Sequence, residues 1–335
     1  MSYNVLSKYR TELMGAAILW VMLFHAFDLD LGFYLLNWGR AAGFGGVDVF
    51  ILLSSMGLPM SLSRREQDYS AFMARRAGRI LPAYYLVMLP YTLFGILYRG
   101  NPWSSLVWNS SLLYYWLRSA GAFNWYVAGS MTFYALTPAC FRAMRDSRRR
   151  ELLAAAGVLL GLSLGRLFMW EEYWYVMDLV FRILFLGILM GFYVLEDRRL
   201  GRRDILFWSV WFVLGGVYLL VRRLPGMSHY MLLARLFLFT TIPMCLAACW
   251  CFERLPLDWL RKPLRLLGAH SLEIYLLNVS LFSEVELLRR FVSFGPSNRM
   301  YYLLSFTVNI ALGLLLHRLV ERLRALHRKT PRGTA

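Results

Sequence analysis

Charged residues are scarce in this chain of 335: only 17% are Asp, Glu, Lys or Arg, while 59% are hydrophobic. An ordinary soluble domain carries about 25% charged and about 45 to 50% apolar residues. The deficit, with a mean hydropathy of +0.47, excludes the pair of soluble domains that length alone would suggest. Acidic residues are scarcer than basic ones, 20 against 37. The resulting charge of +17 does not point to nucleic acid, because the basic residues stand in short clusters between apolar runs and not along one face. Cysteine is limited to Cys140, Cys245, Cys249 and Cys251, without the spacing of a zinc site or the density of a disulfide scaffold. There is no Gly-Lys-Ser/Thr phosphate loop, Gly-rich dinucleotide fingerprint, paired-His zinc motif or Gly-x-Ser-x-Gly elbow, so no metal is expected. Fixed-period repeats and low-complexity segments are missing as well.

What the chain has instead is long apolar runs. A membrane-spanning helix needs about 20 mostly apolar residues, so ten would take roughly 200 and leave only short loops. The runs predict an all-α polytopic membrane protein with spans at Leu13 to Phe33, Gly43 to Leu62, Ile80 to Tyr98, Trp125 to Phe141, Leu152 to Trp170, Asp178 to Val194, Ile205 to Leu220, Met231 to Phe252, Leu266 to Phe282, and Tyr301 to Leu319. The Trp-, Tyr- and Ser-rich stretch Asn101 to Asn124 is expected in the interface, where aromatic rings are at home. Alternate sides of these spans hold 26 and 9 basic residues when Arg166 and Arg318, near span ends, are counted with the adjoining sides, and Arg182 and Arg235 lie inside spans, which predicts both termini in the cytoplasm. The first run lacks a small-residue cleavage site before Asp28 and is expected to stay as an anchor. The expected organisation is a cytoplasmic segment 1–12, a membrane domain 13–319 and a basic tail 320–335.

Ionisable groups inside spans are costly and mark function or pairing. His25 stands about 12 residues into the first run, roughly 18 Å along a helix and so near the bilayer midplane. A neutral imidazole there can accept a proton from a hydroxyl, and it can equally serve as a hydrogen-bond partner between helices. Arg10 at the inner end of the same run, with Arg75, Arg76 and Arg79 at the start of the third, could grip the phosphates of a nucleotide-bearing substrate with planar guanidinium forks. Plain positive-inside anchoring is the competing explanation. Asp48, Arg182 and Arg235 fall in outer parts of their spans and could line a polar vestibule for a hydroxylated acceptor, although Arg182 follows Asp178 by one turn and could pair with it. His270 and Glu273 read as interfacial groups, and Ser54 and Ser55 as helix-packing hydroxyls.

Several segments stand in a familiar order. ELMGAAILWVMLFH ends in His25; GFGGVDVFILLSS carries Gly46, Val47, Asp48, Phe50 and Ser54; FMARRAGRILPAYY carries Arg75, Arg76, Arg79, Ile80 and Pro82. NWYVAGSMTFYALTP carries Trp125, Phe133, Tyr134 and Pro138, followed by RILFLGILMG from Arg182 and LGAHSLEIYLLN from Leu267. In this pattern the chain resembles the acyltransferase family 3 membrane proteins, among them the bacterial O-acetyltransferases of surface polysaccharides. It departs from the pattern at Met14, where the family has Arg, and at Ser55, Ser130 and Asn278, where it has Gly, Glu and His.

The resemblance implies ten spans in a bacterial-type cytoplasmic membrane and transfer of an acyl group, acetyl above all, from acetyl-CoA to a hydroxyl of a sugar or cell-envelope glycan. It implies His25 as general base or transient acyl carrier, Arg10, Arg75, Arg76 and Arg79 as the holders of the CoA phosphates, and Asp48, Trp125, Tyr134, Arg182 and Asn278 around the acceptor. No permanently bound cofactor and no nucleic acid partner are expected; membrane lipid, acyl-CoA and glycan are. Two rivals stay open at this point: a transporter or flippase of a polar or lipid-linked substrate, and a catalytically lapsed member of the same fold.

Overall fold

The computed structural model describes residues 1–64, 68–113, 116, 124–167, 175–221, 229–288 and 299–329, with side chains left aside at 164–167, 175–182, 219–221, 229–234, 281–288 and 327–329. Among the described residues every regular element is a helix, and no strand is present. In chain order these are α1 (Asn4–Lys8), α2 (Arg10–His25), α3 (Tyr34–Ala41), α4 (Gly45–Ser63), α5 (Tyr69–Arg99), α6 (Ser104–Ser110), α7 (Trp125–Arg145), α8 (Arg150–Leu167), α9 (Tyr175–Leu195), α10 (Arg202–Val221), α11 (His229–Arg254), α12 (Asp258–Ala269), α13 (Ser271–Leu288) and α14 (Arg299–Lys329). Among the described residues four stretches are long and apolar enough to cross a membrane: Gly45–Ser63, Tyr69–Arg99, Arg235–Arg254 and Arg299–Leu326. The chain is a helical membrane protein.

Over their described residues eight of the ten apolar runs fall on single helices, and two do not; residues 168–170 of the fifth run lie outside the described residues. The first, Leu13 to Phe33, breaks at His25, so this histidine is the last residue of α2 and not the middle of a span. Local polar chemistry causes the break. The Asp30 carboxylate accepts from the Gly32 amide at 2.9 Å and from Asn37 at 2.6 Å, while the Leu31 amide donates to Asn37 Oδ1 at 2.9 Å. Gly32 adopts φ +83, a left-handed turn that Gly takes without steric cost. The ninth run, Leu266 to Phe282, straddles a boundary: its first residues end the amphipathic α12, and α13 starts after His270, whose carbonyl accepts from the Ile274 amide at 3.1 Å. At the other end of the chain, the expected basic tail is helical to Lys329.

The chain divides into two units: Met1–Phe24 with Gly39–Ala74 and Gly129–Ala269, and His25–Trp38 with Arg75–Ala128 and His270–Ala335. At the heart of the first lies α4, apolar on every side and buried along most of its length. It crosses α9 at Gly187 and Gly191, where a Cβ on Gly187 would meet Ser55 Oγ at 1.8 Å and the Leu52 carbonyl at 2.7 Å. This is the small-xxx-small spacing by which helix backbones approach closely in lipid. Gly268 of α12 rests in the same manner on the Thr11 carbonyl of α2, and there Arg265 holds the buried Glu12 carboxylate at 2.7 Å. The N-terminus is tied down by Tyr3, whose hydroxyl accepts from Trp208 Nε1 at 2.8 Å and donates to Asp204 at 3.3 Å. Burial, assisted by the Asp204 charge, pushes this phenol up to about 12.

The second unit uses polar side chains between helices. Tyr84 of α5 donates to the Asn109 carbonyl of α6 at 2.8 Å, and Asn109 Nδ2 donates to Thr92 at 3.1 Å. Between α13 and α14, His317 Nδ1 lies 2.9 Å from Glu273 Oε1. One step further along this seam, Asn309, with its amide turned to the orientation its neighbours require, donates to the Ile274 carbonyl at 3.2 Å and accepts from the Asn278 backbone and side-chain amides at 3.2 and 3.1 Å. Arg299 Nε donates to the Asp30 carbonyl at 3.1 Å and so tethers the loop that follows His25 to the start of α14.

Candidate functional site

The residues singled out in the sequence are shared between the two units. The second holds His25, Arg75, Arg76, Arg79, Trp125 and Asn278. His25 is partly exposed and sits edge-on to Phe27 at 6.2 Å between ring centroids. As the C-terminal residue of α2 it stands where the last carbonyls of the helix favour positive charge, a setting suited to an imidazole that gains a proton. The break after it is polar, and it is tethered by Arg299.

Arg75, Arg76 and Arg79 occupy consecutive turns of α5, just before Pro82. Arg75 and Arg79 are exposed and, four residues apart, share a face; Arg76 is half-buried and turned away by about 100°. α5 has 31 residues, about 46 Å at 1.5 Å per residue, so it outruns a hydrocarbon core of about 30 Å and carries these arginines beyond its apolar segment.

Trp125 opens α7 next to Tyr126, which meets Tyr275 of α13 edge-on at 5.3 Å. Asn278, one turn beyond Tyr275, is 2% exposed and engaged by Asn309. In the first unit, Arg10 begins α2 and packs against Gly57 of α4, where a Cβ would stand 3.3 Å from its guanidinium. Asp48, in the first turn of α4, is completely buried, and Tyr134 and Ser130 of α7 are buried too. Arg182 belongs to α9, but its side chain, like that of Asp178, lies outside the described residues. Ser55 donates to the Ile51 carbonyl at 2.6 Å, which bears out its reading as a packing hydroxyl.

Three features were beyond sequence reasoning. Asn124, immediately before Trp125, is 1% exposed, adopts φ 51, and finds among the described residues no hydrogen-bond partner for either polar atom of its amide; a buried amide in this state calls for a water or a ligand. His317 joins Glu273 and stands 4.5 Å from the His270 ring, although neither a motif nor proximity in sequence links it to them. Arg324, counted with the basic tail, donates through Nη2 to the Gly78 and Arg79 carbonyls at 2.8 Å each. Among the described residues no group of His, Cys, Asp and Glu could hold a metal ion.

The match to known families covers nearly the whole chain: a family model described as an acyltransferase domain fits residues 15–318. No curated protein and no solved structure matches.

Proposed function

The chain belongs to acyltransferase family 3 and is a membrane acyltransferase; on that premise we propose that it moves an acetyl group from acetyl-CoA to a hydroxyl of a sugar or cell-envelope glycan. The enzyme works in a bacterial-type cytoplasmic membrane, with ten spans and both termini in the cytoplasm, where the donor is found. The observation that carries this reading is the family match over residues 15–318, from α2 into α14.

The acceptor hydroxyl gives its proton to the His25 imidazole as its oxygen attacks the thioester carbonyl. The carbon–sulfur bond then breaks, the acetyl group stays on the acceptor oxygen, and the CoA thiolate leaves with the proton that His25 held. Placement at a helix C-terminus stabilises the imidazolium formed between the two proton transfers. Arg75 and Arg79 engage CoA phosphates through their shared exposed face, with Arg76 and Arg10 contributing charge. Asp48, Trp125, Tyr134, Arg182 and Asn278 are the residues we assign to the acceptor, and the open hydrogen-bond capacity of Asn124 suits a hydroxyl-rich molecule.

The test is transfer from radiolabelled acetyl-CoA by the purified protein to a panel of envelope glycans. His25→Ala should keep the fold and lower turnover by about a hundred- to ten-thousand-fold. Wild-type turnover in this variant would return His25 to a packing role. An acetyl adduct on His25 after incubation with donor alone would replace the general-base step by a covalent one.

A further inference from the structure

Pro82 has no N–H, so it cannot donate to the carbonyl of Gly78 four residues earlier, and the helix that carries Arg75, Arg76 and Arg79 loses a hydrogen bond one residue before Arg79. The vacancy is filled from outside. Arg324 of α14 directs Nη2 at the carbonyls of Gly78 and Arg79, 2.8 Å from each. Its Nη1 donates to Glu321 one turn back, which compensates its charge locally and leaves it poorly suited to grip a phosphate itself. Two turns earlier on the same face of α14, His317 is bound to Glu273 of α13. The helix is therefore pinned to α13 through His317 and to α5 through Arg324, two turns apart along one face.

We infer that Arg324 is a positioning residue for acyl-CoA binding: it replaces the backbone hydrogen bond that Pro82 removes and so fixes the turn from which the donor arginines project. This rests on the donor reading above. Arg324 acts through the backbone of α5 and does not touch the substrate. The arrangement also ties donor binding to the C-terminal helix, a segment that positive-inside charge alone would treat as a passive anchor.

The experiment is a double-mutant cycle on the purified full-length protein in detergent, with Arg324→Met and Pro82→Ala. Methionine keeps much of the side-chain length and no donor; alanine at 82 returns an N–H to the Gly78 carbonyl. In the native background Arg324→Met should lower the unfolding temperature and raise the acetyl-CoA KM by about three- to tenfold, with kcat at saturating donor and the acceptor KM within about twofold. Combined with Pro82→Ala it should cost less than half as much in both readouts. Arg324→Lys, which keeps a cationic donor, should recover part of the donor affinity.

A loss of the same size with and without Pro82→Ala would overturn the inference, as would an unchanged donor KM in Arg324→Met. If Pro82→Ala does not fold, the split between donor KM and kcat and the rescue by lysine decide. Failure of the wild-type protein to bind acetyl-CoA at all would sink the donor reading instead, and the unfolding-temperature cycle would still decide whether Arg324 substitutes for the missing proline hydrogen bond.

Discussion

The α4–α9 crossing and the α13–α14 pair solve one problem by different means. Lipid offers no hydrophobic drive for helices to associate, so helix pairs rely on close packing and on hydrogen bonds between them. At α4–α9 the means is the absence of side chains: Gly187 and Gly191 let α9 lie on the Leu52 and Met56 carbonyls. At α13–α14 it is mostly the presence of polar ones, Glu273 with His317 and Asn278 with Asn309. The first contact fixes distance and tolerates nothing added. The second fixes register, and because its partners can rotate, it can give way by degrees. The elements assigned to binding follow the same division, with Asp48 on the glycine-packed α4 and Asn278 within the polar seam.

The largest effect should come from adding bulk to the glycine crossing. A Cβ on Gly187 would overlap Ser55 Oγ, which can rotate, but also meet the Leu52 carbonyl, which cannot. Gly187→Val should therefore cost more than about 3 kcal/mol, in the range of severe overpacking. Loss of the folded fraction in detergent, followed by size-exclusion chromatography and thermal unfolding, is the measurement; a native unfolding temperature would show that the helices separate freely there.

Removing an acceptor from the polar seam should do less. Glu273 is 7% exposed, and Glu273→Ala leaves His317 Nδ1 without its carboxylate, at a cost of about 1 kcal/mol, because the His317 ring is itself partly exposed. Glu273→Gln keeps an oxygen facing the imidazole and should recover most of the lost unfolding temperature. Equal losses in the two variants would show that the seam depends on the carboxylate charge and not on the hydrogen bond.

Much of the fold was legible because hydropathy reports a helix as long as nothing polar interrupts it. It failed where a few side chains overrule the average. Asp30 and Asn37 capture the amides of Gly32 and Leu31 and end α2 early, though the window from Leu13 to Phe33 stays apolar. α12 escaped because its apolar residues, such as Leu264 and Leu267, alternate with Arg261 and Arg265, and a count of charge reads that pattern as loop. In the site, the arginines before Pro82 and the histidine at the end of α2 were visible as motifs within one segment. Arg324 was not, since its partners lie 245 and 246 residues away in sequence and its guanidinium looks like any other in a basic tail. The Arg265 grip on Glu12, across 253 residues, was hidden for the same reason.

The finest test of the difference between the two crossings concerns Asn309 and Asn278. Both are buried, at 4% and 2% exposure, and they meet between apolar helices with no charge involved. Polar pairs of this kind average about 0.6 kcal/mol and reach about 1.7 kcal/mol in membrane proteins, because the separated helices find other partners. Asn309→Leu should therefore lower stability by an amount near the first figure, and Asn278→Leu by a similar one. In the double variant the second substitution should cost little, since the hydrogen bond is already gone and two leucines can pack against each other. Strict additivity in that cycle would mean that the two amides stabilise the pair through separate contacts, and the register of α13 against α14 would then rest on Glu273 with His317 and on Gly313, where a Cβ would meet Ile274 at 2.6 Å.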